Sequence, residues 1–149
     1  MTAPRIDETA TAALQNALAA EHAAIWSYGL AVAFLSGADA ARAKEDEDAH
    51  RELRNQVEET LTQLGAPAVS AQPAYATPRP VTDAASAAQL AVVAETDGMA
   101  AWRSVLERTT DRALRQAALD TLGAGTLRCA RWRAAIGQSP TIPDFPGQT

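Results

Sequence analysis

Cysteine, aromatic residues and surplus positive charge are all scarce in this sequence of 149 residues. The single cysteine, Cys129, excludes an internal disulfide. The 13 Lys and Arg residues are outnumbered by 18 Asp and Glu residues, which gives a net charge of -5. Nucleic acids and anionic membranes are therefore poor partners, because binding to their phosphates requires a surplus of cationic side chains.

A long apolar segment is also missing. The least charged stretch, residues 23–35, is shorter than the ~20 apolar residues that span a bilayer, and the amino-terminal residues contain early acids instead of a signal sequence. We therefore predict a cytoplasmic protein without a membrane segment. The length is typical of one domain, so residues 1–149 are predicted to form a single domain.

Alanine is abundant, at about a quarter of the residues, while glycine and proline are gathered into a few places. This composition is typical of closely packed helices, and the chain is predicted to be all-α. Capping residues and glycines divide it into four long helices. Their predicted boundaries are Asp7 to Ser36, Asp39 to Leu64, Thr82 or Asp83 to Arg108, and Asp111 to Ile136.

Residues 65–81, between the second and third helices, contain four prolines, which favour an extended conformation. At about 3.1 Å per residue they reach roughly 50 Å, which exceeds the roughly 40 Å length of the second helix. The connection can therefore cross the whole bundle. The sequence predicts a four-helix bundle with one long crossover between helices 2 and 3, so that those two helices run parallel.

Steps of three and four residues identify the face that each helix turns toward its neighbours. On helix 1 this face is apolar or aromatic except for Glu21, and on helix 3 it is apolar except for Glu95. On helix 2, counted back from Leu64, it includes both Glu47 and His50, while Asp46 and Asp48 are predicted to face solvent. The fourth helix has no acid or histidine on its inward face.

The four polar residues Glu21, Glu47, His50 and Glu95 are predicted to lie at one level of the interior, within about two helical turns of one another. Burying several carboxylates is costly unless cations compensate them. A divalent metal is one compensation, and oxygen and imidazole ligands suit iron, manganese or zinc. An arginine is the other, and Arg54, Arg128 or Arg131 could supply it.

The pattern resembles the ferritin-like superfamily, in which the metal centre takes a Glu from helix 1, Glu-x-x-His from helix 2 and a Glu from helix 3. The resemblance covers nearly the whole chain. It is strongest to a small alanine-rich branch catalogued as a domain of unknown function, through the stretches "AEHAAIWSYG", "DAHREL", "YATPRPVTD" and "CARWR". It implies metal ligands at Glu21, Glu47, His50 and Glu95, with Tyr28 beside the metal, and Fe(II) oxidation as the chemistry.

The fourth helix departs from that pattern, because it carries Leu122, Gly125 and Cys129 where related di-iron proteins place a second Glu-x-x-His. Two hypotheses follow, and the sequence leaves open whether the protein is an enzyme. One is a metal protein, and the other is a non-enzymatic structural or interaction module with paired internal charges. On residue chemistry alone, Tyr28 is a packed aromatic whose hydroxyl binds a buried carboxylate, and Cys129 is an inert core residue.

Helix 1 also has a second apolar stripe, formed by Trp26, Leu30 and Phe34. A helix that is apolar nearly all round must be covered on more than one side. We therefore predict a homodimer that forms through helix 1.

Overall fold

A computed structural model describes residues 6–149 and contains four α-helices. They are α1 (Glu8–Val32), α2 (Gly37–Gln63), α3 (Ala84–Arg108) and α4 (Arg112–Ala135). No strand occurs among these residues, which confirms the predicted fold class. In the same range, no helix is long and apolar enough to cross a membrane.

Three helices begin at aspartates: Asp7 and Asp83 were predicted as caps, whereas Asp111 was predicted in the turn before the fourth helix. Asp7, Asp83 and Asp111 each accept a hydrogen bond from a backbone N–H of the first turn, and Asp83 forms a capping box with Ser86. The predicted cap of α2 was wrong, because that helix begins after Ser36 and Asp39 lies within its first turn. An acid is also favourable there, where unpaired N–H groups carry partial positive charge.

The helix directions follow from contacts made by two residues of α1. Glu21 contacts His50 on α2 and Trp102 on α3. Tyr28 lies two turns after Glu21. It contacts Asp46 on α2, four residues before His50, and Glu95 on α3, seven residues before Trp102. Therefore α1 is antiparallel to both, and α2 runs parallel to α3. The predicted bundle with a long crossover is confirmed.

The crossover, residues 64–83, is fastened to α1 by its backbone. The Gln15 side-chain amide donates to the carbonyl of Pro67 and accepts from the N–H of Val69. His22 lies 3.1 Å from the carbonyl of Val69. It is therefore held at the side of α1, away from Glu21.

The second apolar stripe of α1 is partly covered by this crossover. The rings of Trp26 and Tyr75 lie 5.9 Å apart, centroid to centroid. Phe34, at the end of the stripe, stays 38% exposed. The chain itself thus covers part of the surface that the sequence assigned to a second copy.

The core has two apolar parts. The first, which we call the apolar end, lies where α1 begins and α2 ends. The second surrounds Tyr28 and Trp132. The main side chains of the apolar end are those of Leu14, Leu18, Val57, Leu61, Trp102, Val105 and Leu114.

The carboxy-terminal tail contacts α3 through its backbone and not through its apolar side chains, Ile142 and Phe145. Those side chains are 48% and 66% exposed. Contact is made instead by the carbonyl of Pro146, which accepts from Arg103, and by Gly147, whose added Cβ would lie 2.8 Å from the Cβ of Arg103. A residue without a side chain allows this approach.

Candidate functional site

A layer of buried charged side chains crosses the middle of the bundle. We call it the ionic layer and define it as Glu21, Asp46, His50, Glu95 and Arg128. All four helices contribute to it: α1 and α3 give one carboxylate each, α2 gives a carboxylate and an imidazole, and α4 gives a guanidinium. Each of these residues is at least nine-tenths buried.

His50 lies at the centre of this layer with a carboxylate on each side. Its Nδ1 is 2.5 Å from Oε2 of Glu21, and its Nε2 is 2.8 Å from Oε1 of Glu95. Burial opposes the charged form, but the hydrogen bonds to Glu21 and Glu95 and their charges outweigh it and raise the pKa of His50 to about 9. Below that pH both ring nitrogens carry protons and donate to the acids.

Glu95 accepts three hydrogen bonds on one oxygen. Besides His50, the Tyr28 hydroxyl donates to its Oε1 at 2.7 Å, and Nε–H of Arg128 donates at 2.9 Å. Although burial acts in the opposite direction, the hydrogen bond and charge of His50, followed by the charge of Arg128, lower the pKa of Glu95. Glu95 is therefore the shared anion of two buried cations.

Glu21 receives its second donor from an aromatic residue. The indole N–H of Trp102 donates to its Oε1 at 2.7 Å, while the other oxygen faces His50. Trp102 lies on the inward face of α3. It packs there, being 5% exposed, but its ring also places a polar donor against a buried acid.

Asp46 is buried, which corrects the prediction that it faces solvent. It is 4% exposed, and its Oδ2 accepts from the indole N–H of Trp132 at 2.8 Å. The Tyr28 hydroxyl lies 3.4 Å from the same oxygen, and Arg131 lies 3.8 Å from the other. Burial, the largest effect, raises the pKa of Asp46 in spite of the Trp132 hydrogen bond.

Glu47, the predicted partner of His50 at the core, is not part of the ionic layer. Its side chain is 13% exposed and pairs with Arg51, one turn further along α2. The reason is helical geometry. At 3.6 residues per turn, a residue four positions from His50 lies about 40° away around the helix, and one three positions away lies about 60° away. Asp46 is therefore nearer the buried direction than Glu47.

Tyr28 occupies the position predicted from residue chemistry. Its hydroxyl is bound to a buried carboxylate, and its ring lies against the His50 ring with centroids 5.5 Å apart. Burial, together with the charges of Glu95 and Asp46, raises the pKa of Tyr28 well above its usual value. The phenol therefore remains a hydrogen-bond donor at neutral pH.

The inward face of α4 carries no acid or imidazole, but it delivers Arg128. Among the three arginines named as alternatives to a metal, this one reaches Glu95, whereas Arg54 donates to Asn55. Gly125 lies directly against that contact, since an added Cβ would be 3.6 Å from Oε2 of Glu95 and from Arg128, which is an ordinary van der Waals distance. Cys129 is fully buried, and burial raises the pKa of its thiol.

The ionic layer as arranged does not fit a metal ion. Within residues 6–149, no group of three or more His, Cys, Asp or Glu side chains has the geometry of a metal site. A ligating imidazole must offer an unprotonated nitrogen. Here both nitrogens of His50 face carboxylates as donors, and Arg128 binds the oxygen of Glu95 that faces His50.

Comparison with known proteins gives a family and a similar crystal structure. The family model described as "Domain of unknown function (DUF4439)" matches residues 13–149. The chain is also similar to the crystal structure of a conserved hypothetical protein, rv2844, from Mycobacterium tuberculosis, with 35% sequence identity and a TM-score of 0.83. That match covers 93% of this chain and 97% of the other. None of the curated proteins matches the chain.

Proposed function

Because the chain belongs to the DUF4439 family, whose description gives no activity, we propose from the ionic layer that it is a non-enzymatic helical module, structural or protein-binding. In this proposal the buried acids are balanced by the chain's own cations instead of a metal. The observation that supports it most is His50 held between Glu21 and Glu95, with Arg128 on the same oxygen of Glu95.

The charges of the layer support this proposal. Its three carboxylates face two cations, His50 and Arg128, which leaves one negative charge over. The raised pKa of Asp46 and the nearby Arg131 both reduce that excess. Buried ion pairs add little net stability compared with apolar packing, but they are costly to break. We therefore assign the layer the role of fixing which helix faces meet, so that the outer surfaces hold a constant arrangement.

A ferritin-like metal protein is the second candidate. Three of the residues expected to bind the metal, Glu21, His50 and Glu95, converge from three helices, and the long crossover is of the expected kind. In this candidate the protein is related to ferritins and its chemistry is Fe(II) oxidation. Binding would require His50 to lose a proton and Arg128 to withdraw from Glu95.

Titration with Fe(II), Mn(II) and Zn(II) tests the choice. Trp102 and Trp132 donate to Glu21 and Asp46, so tryptophan fluorescence reports directly on the layer, and calorimetry gives the stoichiometry. The module predicts no stoichiometric binding by protein purified without chelators. Stoichiometric binding that is lost in Glu95→Gln would overturn it in favour of the metal protein.

Two further variants make the titration specific. Glu47→Gln alters a carboxylate of the same helix that lies outside the layer, so it controls for surface binding. Arg128→Gln removes the cation from Glu95 while keeping a side chain of similar length. Metal uptake by Arg128→Gln, but not by the natural chain, would show that Arg128 takes the place of an ion.

The proposed module acts in the cytoplasm. It acts without nucleic acid, because a net charge of -5 opposes binding to phosphates. A homodimer is also part of the proposal, and the sequence favours α1 as the contact between the copies. Its support is the exposed ring of Phe34 and the partly exposed side chains of Trp26 and Leu30. The cover that Tyr75 gives to Trp26 reduces the apolar area available there.

A further inference from the structure

Leucine side chains on the outer face of α4 are more exposed than those of the other three helices. Leu119 and Leu127 are 52% and 59% exposed. Gly123 lies midway between them, and an added Cβ at this residue would meet nothing within 4 Å. Leucines at this spacing lie on one face of a helix. The three residues thus form a shallow apolar strip with open space at its centre.

The arginines of α4 do not cover this strip, because most of them are held elsewhere. Arg115 donates to the carbonyls of Leu106 and Thr109, and Arg133 donates to that of Pro140. Arg128 is buried on Glu95, so no exposed charged residue occurs between Asp120 and Arg131. A partner can therefore cover this length of α4 without burying an unpaired charge.

We infer that this strip binds a second copy of the same chain, with the two α4 helices antiparallel and crossing at Gly123. The strip is symmetric about that glycine, since a leucine lies four residues to each side. A two-fold axis through Gly123 therefore places Leu119 of each copy on Leu127 of the other, as an isologous interface requires. The missing side chain at the crossing allows the helices to approach closely.

The charges that flank the strip are complementary in this arrangement. Asp120 lies three residues before Gly123 and Arg131 lies eight residues after it, within about 20° of one another around the helix. In the antiparallel pair, Arg131 of one copy is thus about 7.5 Å along the axis from Asp120 of the second copy. Arg131 lies 3.8 Å from Asp46 in the single chain, but its side chain is half exposed and long enough to turn and bridge that distance, and symmetry gives the contact twice.

This inference names the partner of the proposed module, and it moves the dimer contact from α1 to α4. It does not depend on whether the ionic layer binds metal, because the strip shares no residue with that layer. The metal titration and the association experiment can therefore fail independently.

Sedimentation velocity of the natural chain tests the inference. The protein concentration should reach about 100 µM, because weak protein interfaces have dissociation constants in the micromolar range. We expect a dimer whose dissociation constant rises at least about tenfold in Leu127→Glu, because a charge is then buried at the contact. Phe34→Glu, at an exposed ring just after the end of α1, is the matched control and should leave the dimer intact. A monomer at every concentration, or a dimer that Phe34→Glu dissociates and Leu127→Glu does not, would contradict the inference.

Cysteine cross-linking tests the antiparallel geometry. Gly123→Cys places the new thiol next to its symmetry mate, and its Cβ meets no neighbour within the chain. Ala124→Cys, on the next residue, points about 100° away around the helix and is the control. Rapid cross-linking of Gly123→Cys alone is expected. Failure of Gly123→Cys to cross-link, or equal cross-linking by both variants, rules out this crossing.

Discussion

The apolar end and the ionic layer are successive levels of the same four helices, but they are stabilised differently. The apolar end buries leucine and valine side chains that need no specific partner beyond a good fit. In the ionic layer, every carboxylate has one or more named donors, and several donors share one oxygen of Glu95. Apolar packing thus favours a compact bundle, whereas the paired charges select one arrangement of the helices.

Truncation of Glu95 is expected to have the largest effect. Glu95→Ala leaves His50 and Arg128 buried without their shared anion, and we expect the free energy of unfolding to fall by about 3 to 5 kcal/mol. Denaturant unfolding followed by circular dichroism measures this. Glu107→Ala, which removes an exposed partner of Arg103 on the same helix, should cost less than about 1 kcal/mol. Equal losses in the two variants would mean that the layer is not energetically coupled.

A cavity at the apolar end should be almost as costly. Leu18 is completely buried, and Leu18→Ala should lower the free energy of unfolding by about 2 to 5 kcal/mol through lost contacts and the space left behind. Since no charge is disturbed, the loss should be the same at pH 6 and pH 9, whereas the Glu95→Ala loss should shrink at the higher pH. Urea titrations at both values make the comparison.

The pH dependence of stability should come from the ionic layer. The pKa of His50 rises from 6.5 in the unfolded chain to about 9 in the fold. The folded state therefore binds the proton more tightly, so this stabilisation is complete below pH 6.5 and is lost as the pH rises to about 9. The loss is on the order of 3 kcal/mol. His50→Gln should flatten the profile over that range, and an unchanged profile would contradict the assignment.

The smallest expected difference separates two neighbouring acids of α2. Asp46→Ala leaves the indole N–H of Trp132 buried without an acceptor, which should cost about 1 to 3 kcal/mol. Glu47→Ala removes a partly exposed partner of Arg51 and should cost less than about 1 kcal/mol. Thermal unfolding of the two variants, compared at one pH, measures the difference. A larger loss in Glu47→Ala would restore the sequence-based assignment of Glu47 to the core.

The architecture was predictable because its signals are local and repeated. Asp7 and Asp83 cap helices as expected, and Asp111 both belongs to the predicted turn and caps the fourth helix. Leucines at steps of three and four residues mark the apolar end. The length of residues 65–81 indicates the crossover, because this segment, when extended, is longer than the second helix. Each of these signals depends on properties of the backbone that hold in any helical protein.

The ionic layer was only partly predictable, because it depends on side-chain directions and partners from distant parts of the sequence. Glu21, His50 and Glu95 were identified because an acid or histidine interrupts an apolar face. Asp46 was missed because a step of either three or four residues back from His50 is allowed, and the step of three selects Glu47. The angle of about 100° per residue shows that Asp46, four residues back, lies closer to the direction of His50. Arg128 was one of three candidates, and only the packing of α4 on α3 selects it.

The indole donors were missed for a different reason. Trp102 and Trp132 lie on the inward faces of their helices, and such positions indicate packing without showing where the indole N–H points. A buried indole requires an acceptor for its N–H, and the nearby buried acids of other helices are the available partners. Counting the donors that buried aromatic residues bring to an acid-rich interior would have indicated both contacts.

Heteronuclear NMR of the His50 ring nitrogens across pH tests the central claim most directly, with His50→Gln used to assign the signals. If the chain's own charges balance the layer, both ring nitrogens carry protons at pH 7 and the ring titrates at about 9. A His50 ring that has one unprotonated nitrogen at pH 7, or that binds an added divalent metal at stoichiometric concentration, would contradict the account.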